Sequence, residues 1–211
     1  MNAIKEILKE KVHAVVRIDD GEKVVEIVQS LVKGGIKIIE VIINNSSVAD
    51  AIKYLNSSED LMIAAGGIIT QRQATMAINS GAKIIVSPIF QMNLVRLCQS
   101  SQVPLIMTAT TPNEAYSAWK ARTPLIKIYP TRPMGGATYV EDLLRPMPFL
   151  NIIATGSIEI EGFTDYLEAG ARAVGIGRAL YQNASNEEII YRAMKTKEML
   201  KKYLESKLEN E

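Results

Sequence analysis

The chain has very few of the residues that build disulfide or metal frameworks. Its 211 residues include one cysteine and one histidine. Cys98 cannot form a disulfide within the chain, which favours a reducing compartment. Cys98 and His13 are together too few ligands for a His/Cys metal cluster, so we expect no metal site.

An excess of one charge is also lacking. Twenty-four basic residues against 23 acidic ones give a net charge of +1. Binding to nucleic acid through phosphate contacts requires a basic surplus. We therefore expect no nucleic-acid partner.

Long hydrophobic runs are missing as well. The longest strongly apolar stretch covers residues 61–69, far short of the roughly 20 residues that span a bilayer. Lysine and glutamate interrupt the first twelve residues, MNAIKEILKEKV, which predicts a short amphipathic helix and not a signal peptide. We expect a cytoplasmic protein with no membrane partner.

The composition is that of a folded globular protein. Hydrophobic residues make up 47% and charged residues 22% of the chain, which excludes a disordered polypeptide. A chain of about 200 residues buries roughly 70% of its unfolded surface, so it needs no disulfide or structural metal. Because no linker or low-complexity segment interrupts it, we predict a single domain over residues 1–211.

Short apolar runs recur along the whole chain at intervals of 21 to 26 residues. Their centres lie near Val16, Glu40, Ala64, Ile85, Ile106, Lys127, Ile153 and Val174. The segments between them show helical periodicity, and a strand, a helix and two short loops fill such an interval. Capping motifs predict helix starts at 70–73, 111–114 and 185–188. Glycines predict helix ends at Gly34, Gly35, Gly81 and Gly170.

Eight such units predict an α/β protein, a (β/α)₈ TIM barrel with a short N-terminal helix and a long final helix over 186–211. Runs that are apolar on both faces suit parallel strands between a filled core and a ring of helices. The alternative is a doubly wound open sheet. It is disfavoured because no G-x-G-x-x-G dinucleotide motif follows the first strand.

Three predicted strands carry an ionisable residue in an otherwise apolar run, namely Arg17, Glu40 and Lys127. An isolated charge in a barrel interior costs several kcal/mol, so we expect these side chains to converge. A buried lysine near a cation gives up its proton more readily and becomes an amine nucleophile, and a carboxylate beside it moves protons. The set suits Schiff-base chemistry on a carbonyl substrate.

Two structural alternatives remain for these charges. They form a buried salt-bridge network that fixes strand register, or Lys127 extends to a barrel end. His13, at the start of the first strand, has no acid–base partner in the sequence pattern, and we expect it to be structural.

The loops after strands 7 and 8 are rich in small residues. Thr155, Gly156 and Ser157 follow one strand, and Gly177 and Arg178 follow the other. TIM barrels often bind phosphate with these two loops, so Gly156, Ser157, Gly177 and Arg178 are candidate phosphate-binding residues. The alternative is two tight turns with no ligand.

The chain resembles the 2-keto-3-deoxy-6-phosphogluconate (KDPG) and 4-hydroxy-2-oxoglutarate aldolase family over essentially its whole length. The segments that carry the resemblance are AVVR at 14–17, GIKIIEV at 35–41, AG at 65–66, GA at 81–82, VSP at 86–88, TPNE at 111–114, KIYP at 127–130, GG at 135–136 and TG at 155–156. The resemblance implies a class I aldolase that uses no metal or other cofactor, on a (β/α)₈ barrel that is generally trimeric.

By resemblance, Lys127 is the Schiff-base lysine and Glu40 the proton shuttle. The candidate substrate-binding residues are Arg17, Asn44, Gly66, Gly67, Ser87, Pro88 and Thr155. The implied substrate is a small 2-keto acid. In the KDPG case it is phosphorylated and is cleaved to pyruvate and glyceraldehyde 3-phosphate.

The chain departs from the family pattern where the family holds substrate acid and phosphate. Asn44 and Asn45 replace the usual arginine or threonine, Gly67 replaces a threonine, Met107 and Thr108 replace Pro-Gly, Ser157 replaces a glycine and Arg178 a serine. KDPG, its galactose epimer and hydroxy-oxoglutarate all stay open as substrates. A non-catalytic barrel that binds a phosphorylated metabolite, and an isomerase or synthase without a covalent intermediate, are the alternative functions.

Overall fold

A computed structural model describes residues 3–57 and 61–209 of the chain. The eight strands are β1 (Val12–Val16), β2 (Ile38–Ile42), β3 (Met62–Gly66), β4 (Ile84–Ser87), β5 (Leu105–Ala109), β6 (Ile126–Ile128), β7 (Ile152–Thr155) and β8 (Ala173–Ile176). The helices are α1 (Ala3–Glu10), α2 (Gly21–Lys33), α3 (Ser46–Leu55), α4 (Gln71–Asn79), α5 (Met92–Ser100), α6 (Pro112–Lys120), α7 (Ala137–Leu144), α8 (Phe163–Glu168), α9 (Arg178–Tyr181) and α10 (Asn186–Leu208).

The strands close into a barrel in chain order. Each strand pairs in parallel with the next, and β8 pairs with β1 through His13 and Gly175. The predicted (β/α)₈ barrel and its short N-terminal helix are therefore confirmed, and the alternative of an open sheet is wrong. The last two residues of the predicted final helix, 210–211, lie outside the described residues.

Local sequence sets the helix boundaries as expected. Thr70 and Thr111 each accept a hydrogen bond from the backbone three residues on, and Gln73 and Glu114 complete reciprocal capping boxes. Ser185 caps α10 by accepting from the Glu188 amide at 3.3 Å. Because these side chains satisfy amides that have no helical partner, they fix where each helix begins.

The barrel interior is apolar at the end opposite the carboxyl ends of the strands. Its side chains are Ile38, Met62, Ala64, Ile84, Val86, Ile106, Leu125, Ile153 and Ala173. Helix α1 covers this end and inserts Ile7 into the same cluster. A second cluster fills the layer between strands and helices. The polar side chains of the interior are thus left towards the carboxyl ends of the strands, where TIM barrels carry their sites.

Within the described part of the chain, every helix is too short or too polar to cross a bilayer.

Candidate active site

Glu40 and Lys127 meet inside the barrel. Glu40 lies in the middle of β2 and Lys127 in the middle of β6, and both side chains are buried. Lys127 Nζ lies 2.7 Å from Glu40 Oε1 and 2.8 Å from Oε2. Two strands far apart in sequence thus supply an ion pair in which the ammonium contacts both carboxylate oxygens. The sequence pattern predicted that these two residues would meet.

The ionisation of Glu40 follows from its neighbours. Burial by itself raises the pKa of the carboxyl group, but the ammonium of Lys127 and the imidazole of His13 more than offset this effect and lower the pKa well below its ordinary value. Glu40 is therefore a carboxylate at neutral pH. A proton can move between Lys127 and Glu40 along a hydrogen bond that already exists.

A cavity of about 450 Å³ opens above the pair at the carboxyl ends of the strands. This volume lies within the range of small-molecule sites. Its lining residues are Val15, Arg17, Glu40, Ile42, Ile43, Asn44, Gly67, Val86, Pro88, Thr108, Lys127, Tyr129 and Thr155. The expected substrate-binding residues Arg17, Asn44, Gly67, Pro88 and Thr155 are among them.

Arg17 does not lie where the sequence pattern placed it. Strand β1 ends at Val16, so Arg17 is exposed at the rim of the cavity, and its amide donates to Tyr181 Oη at 3.1 Å. Among the described residues it forms no ion pair with Glu40. The expectation that Arg17 joins the buried charges is therefore wrong, because the strand is too short to carry it inside.

Asn44, one of the expected substrate-binding residues, is held by a neighbouring loop. Its Nδ2 donates to Asp19 Oδ1, and Asn45 Nδ2 donates to the Asp19 carbonyl at 2.6 Å. Asn45 also caps α3 by accepting from the Val48 amide at 3.0 Å. The two asparagines therefore tie the β2 loop to the β1 loop.

Two expected substrate-binding residues, Gly66 and Ser87, do not line the cavity. Gly66 contacts the Glu40 carboxylate directly, where a side chain would not fit. Ser87 is buried and donates its hydroxyl to the Ile89 carbonyl at 2.8 Å. The structure does not place the Ser87 side chain on the cavity, because its hydroxyl group is used in the turn.

The four candidate phosphate residues lie together at the rim of the barrel but do not line the cavity. β7 and β8 pair through Thr155 and Gly175, so the loops that follow them are neighbours. Arg178 is exposed at the start of α9, and Ser157 has a positive φ of 55°. Gly156 packs against Pro130, whose Cα would lie 2.8 Å from an added Cβ. The space at Gly156 is therefore used by packing.

Sequence reasoning missed that His13 faces Glu40. Its ring is buried on β1, and Nε2 lies 3.8 Å from Glu40 Oε2. A signal was present, because a histidine that shares the inward face of a strand with Val15 enters a barrel interior. The expectation that His13 has no acid–base partner is wrong.

No group of three His, Cys, Asp or Glu side chains among residues 3–57 and 61–209 is arranged to hold a metal ion.

The geometry agrees with comparisons to known proteins. A family model described as KDPG and KHG aldolase matches residues 4–193. The 2-dehydro-3-deoxy-phosphogluconate aldolase of Haemophilus influenzae is 29% identical over 165 residues, which cover 78% of either chain.

Two solved structures share the fold. A 4-hydroxy-2-oxoglutarate/2-dehydro-3-deoxyphosphogluconate aldolase from TTHB1 superposes with a TM-score of 0.85 at 23% identity, covering 95% of this chain and 99% of the other. A KDPG aldolase from Legionella pneumophila, captured with pyruvate as a covalent carbinolamine, gives a TM-score of 0.80 at 22% identity, covering 90% and 96%.

Proposed function

The chain belongs to the KDPG and KHG aldolase family, and on that premise we propose that it is a class I aldolase that cleaves a 2-keto-3-deoxy acid through a Schiff base on Lys127. The observation that carries this proposal is the buried Lys127–Glu40 pair below an open cavity. A lysine in this position combines a nucleophilic amine with a carboxylate that is already hydrogen-bonded to it.

The first half of the reaction forms the covalent intermediate. As substrate enters, one proton moves from Lys127 Nζ to Glu40, and the neutral amine adds to C2 of the keto acid. The carbinolamine then loses its hydroxyl group as water, with a proton supplied by Glu40. The product is an iminium ion, which accepts electrons in the next step. In the Legionella pneumophila enzyme pyruvate is captured as such a carbinolamine.

The second half breaks the carbon–carbon bond. The Glu40 carboxylate removes the proton of the C4 hydroxyl, the C3–C4 electrons move towards the iminium nitrogen, and an aldehyde leaves. Glu40 returns the proton to C3 of the enamine, and water hydrolyses the iminium to release pyruvate. General acid–base help of this kind is worth about 10²–10⁴-fold in rate. Since the iminium is the electron sink, the proposed steps use no metal or organic cofactor.

Arg17 is proposed to bind the substrate carboxylate. Apart from Lys127, it is the only cation among the described residues that line the cavity, and its guanidinium can bind two oxygens at once. Asn44 cannot supply that charge and is held by Asp19. The distal phosphate of KDPG is proposed to bind the adjacent loops of β7 and β8, through Gly156, Ser157, Gly177 and Arg178.

Borohydride reduction in the presence of pyruvate tests the central step. We expect mass spectrometry to find one reduced adduct on Lys127, and none in a Lys127→Met variant. A lyase assay with KDPG, its galactose epimer and hydroxy-oxoglutarate then identifies the substrate. Absence of an adduct in the wild-type protein would refute the proposal, and turnover without an adduct would instead indicate acid–base catalysis without a covalent intermediate.

A homotrimer is also proposed. Ile89, Phe90 and Met92 expose apolar side chains, and the last two line a cavity of about 500 Å³ against α6. Exposed apolar groups of this kind mark interaction surfaces. Light scattering should give a mass near three times 23.2 kDa, and Phe90→Glu should lower it, whereas Tyr191→Glu on α10 should not. A monomer for the wild-type chain would refute the trimer.

A further inference from the structure

His13 is a buried polar residue that the proposed reaction does not use. It is 5% exposed, and it does not line the cavity. Its Nδ1 atom is inaccessible to solvent and has no hydrogen-bond partner among the described residues. Buried polar atoms are normally paired, so a histidine kept here calls for an explanation.

The strand beside His13 leaves room for its ring. Gly175 on β8 is the parallel partner of His13, and a Cβ at position 175 would lie 2.7 Å from His13 Nε2 and 2.9 Å from Cε1. Gly175 is not among the glycines with positive φ. Its lack of a side chain therefore provides space, and the imidazole uses that space to face Glu40.

The groups around the ring define its electrostatic role. Glu40 faces it from β2, with Lys127 of β6 on the same carboxylate, whereas β8 and β7 present uncharged Gly175 and Thr155. At the end of the barrel that α1 covers, the apolar Ile7 enters the interior and adds no charge.

Of the two ring nitrogens, Nε2 faces the Glu40 carboxylate, and Nδ1 has no partner among the described residues. An N–H group on Nε2 is therefore directed towards Glu40. The 3.8 Å distance between His13 Nε2 and Glu40 Oε2 is too long for a hydrogen bond, so the interaction between them is electrostatic.

We propose that His13 is a positioning residue that keeps the Glu40 carboxylate ionised and oriented once Lys127 is bonded to substrate; this inference rests on the proposed Schiff-base function. In the free enzyme the Lys127 ammonium contacts both carboxylate oxygens. As an iminium, the same nitrogen keeps at most one N–H, so Glu40 loses donors at the stage when it must act as a base. His13 Nε2 then remains beside Oε2.

Three substitutions at one position test this role. Leucine removes the N–H, glutamine places an amide N–H near the position of Nε2, and asparagine places one near Nδ1, away from Glu40. In His13→Leu we expect kcat to fall by up to about 10²-fold, because misplacing a reacting group can cost that much in rate, with KM nearly unchanged. The acid limb of the kcat–pH profile should shift to higher pH, because Glu40 is more easily protonated.

The remaining variants separate positioning from packing. His13→Gln should restore most of kcat and the wild-type acid limb, whereas His13→Asn should behave like His13→Leu. Ile106→Leu, a buried change on β5 in the same interior, should leave the pH profile unchanged. Comparing the Gln and Asn variants keeps the test valid even if His13→Leu does not fold.

The outcomes distinguish this inference from the proposed function. Absence of a borohydride-trapped pyruvate adduct in the wild-type protein would refute the Schiff-base function itself. If the wild type forms the adduct and turns over substrate, but His13→Asn keeps the wild-type kcat–pH profile, the role of His13 is refuted alone. Equal losses in the Gln and Asn variants would show that the ring serves only packing.

Discussion

The carboxylate of Glu40 occupies the space that a side chain at Gly66 would fill. An added Cβ at position 66 would lie 2.4 Å from Glu40 Oε1 and 2.5 Å from Ile42 Cδ1. Gly66 is not among the glycines with positive φ, so the backbone does not require a glycine there. The glycine at the end of β3 therefore serves to admit the carboxylate.

Gly66→Ala should displace Glu40 from Lys127 without preventing folding. Misplacing a reacting group by about 1 Å can cost about 10²-fold in rate, so we expect a loss of that order in kcat. Steady-state lyase kinetics would measure it. Gly162→Ala is the matched control, because its added Cβ would meet only Asp165 Oδ2, at 3.9 Å. Unchanged kcat in Gly66→Ala would show that the carboxylate does not need its observed position.

The barrel itself could be predicted because its signals are local. Strand centres such as Glu40 and Lys127 lie inside the strands expected for them, and the capping threonines begin α4 and α6. Spacing and capping follow from neighbouring residues. The meeting of Glu40 with Lys127 could also be inferred, because a barrel leaves a buried charge few places to find a partner.

Breaking the Glu40–Lys127 pair should cost more than deleting it. Glu40→Gln leaves a buried ammonium without its partner, and Lys127→Met leaves a buried carboxylate, so each should lower the free energy of unfolding by about 3–5 kcal/mol. The double variant should cost less than the sum. Urea unfolding would measure all three, with the exposed pair Lys202–Glu198 as a control in which no coupling is expected. Additive losses would contradict a coupled pair.

The Glu40–Lys127 pair should make the free energy of unfolding depend on pH only under acidic conditions. Burial raises the pKa of Glu40, but Lys127 and His13 reverse this effect and hold it below its value in the unfolded chain. A lowered folded-state pKa stabilises the protein fully above the unfolded-state value, and the contribution is lost as pH falls towards the folded-state value.

This relation gives a measurable window. The stability difference between the wild type and the Glu40→Gln/Lys127→Met double variant should stay constant from pH 7 to about 5 and change only below about pH 4.3, the ordinary value for glutamate. Urea titrations at several pH values would show it. A difference that changes between pH 7 and 5 would contradict an ionised Glu40.

Arg17 should govern affinity for the substrate acid. Hydrogen bonds to charged groups are worth about 1.5–3 kcal/mol, so Arg17→Ala should raise KM for the keto acid by about 10–100-fold with a smaller effect on kcat. Arg17→Lys should recover part of the affinity. Arg145→Ala on the outer surface is the control. An unchanged KM in Arg17→Ala would place the carboxylate elsewhere.

The position of Arg17 and the space around the His13 ring could not be read from the sequence, for two physical reasons. A strand end is set by a balance of ladder hydrogen bonds with the following loop, so a shift of one residue moved Arg17 from the interior to the rim. The His13 ring fits beside Glu40 because Gly175, more than 160 residues away in the chain, has no side chain. An absent side chain gives no sequence signal.

Arg178 should discriminate phosphorylated from unphosphorylated substrates. It lies where the loop after β8 meets the loop after β7, and a guanidinium there can bind two phosphate oxygens. Arg178→Ala should lower kcat/KM for KDPG by about tenfold or more, as expected for a lost charge-assisted hydrogen bond, and leave the unphosphorylated 2-keto-3-deoxygluconate unaffected. Arg172→Ala is the matched control, because Arg172 precedes the same strand at the opposite end of the barrel. Equal losses of kcat/KM with both substrates would show that Arg178 has only a structural role. No loss with either substrate would show that Arg178 does not bind the phosphate.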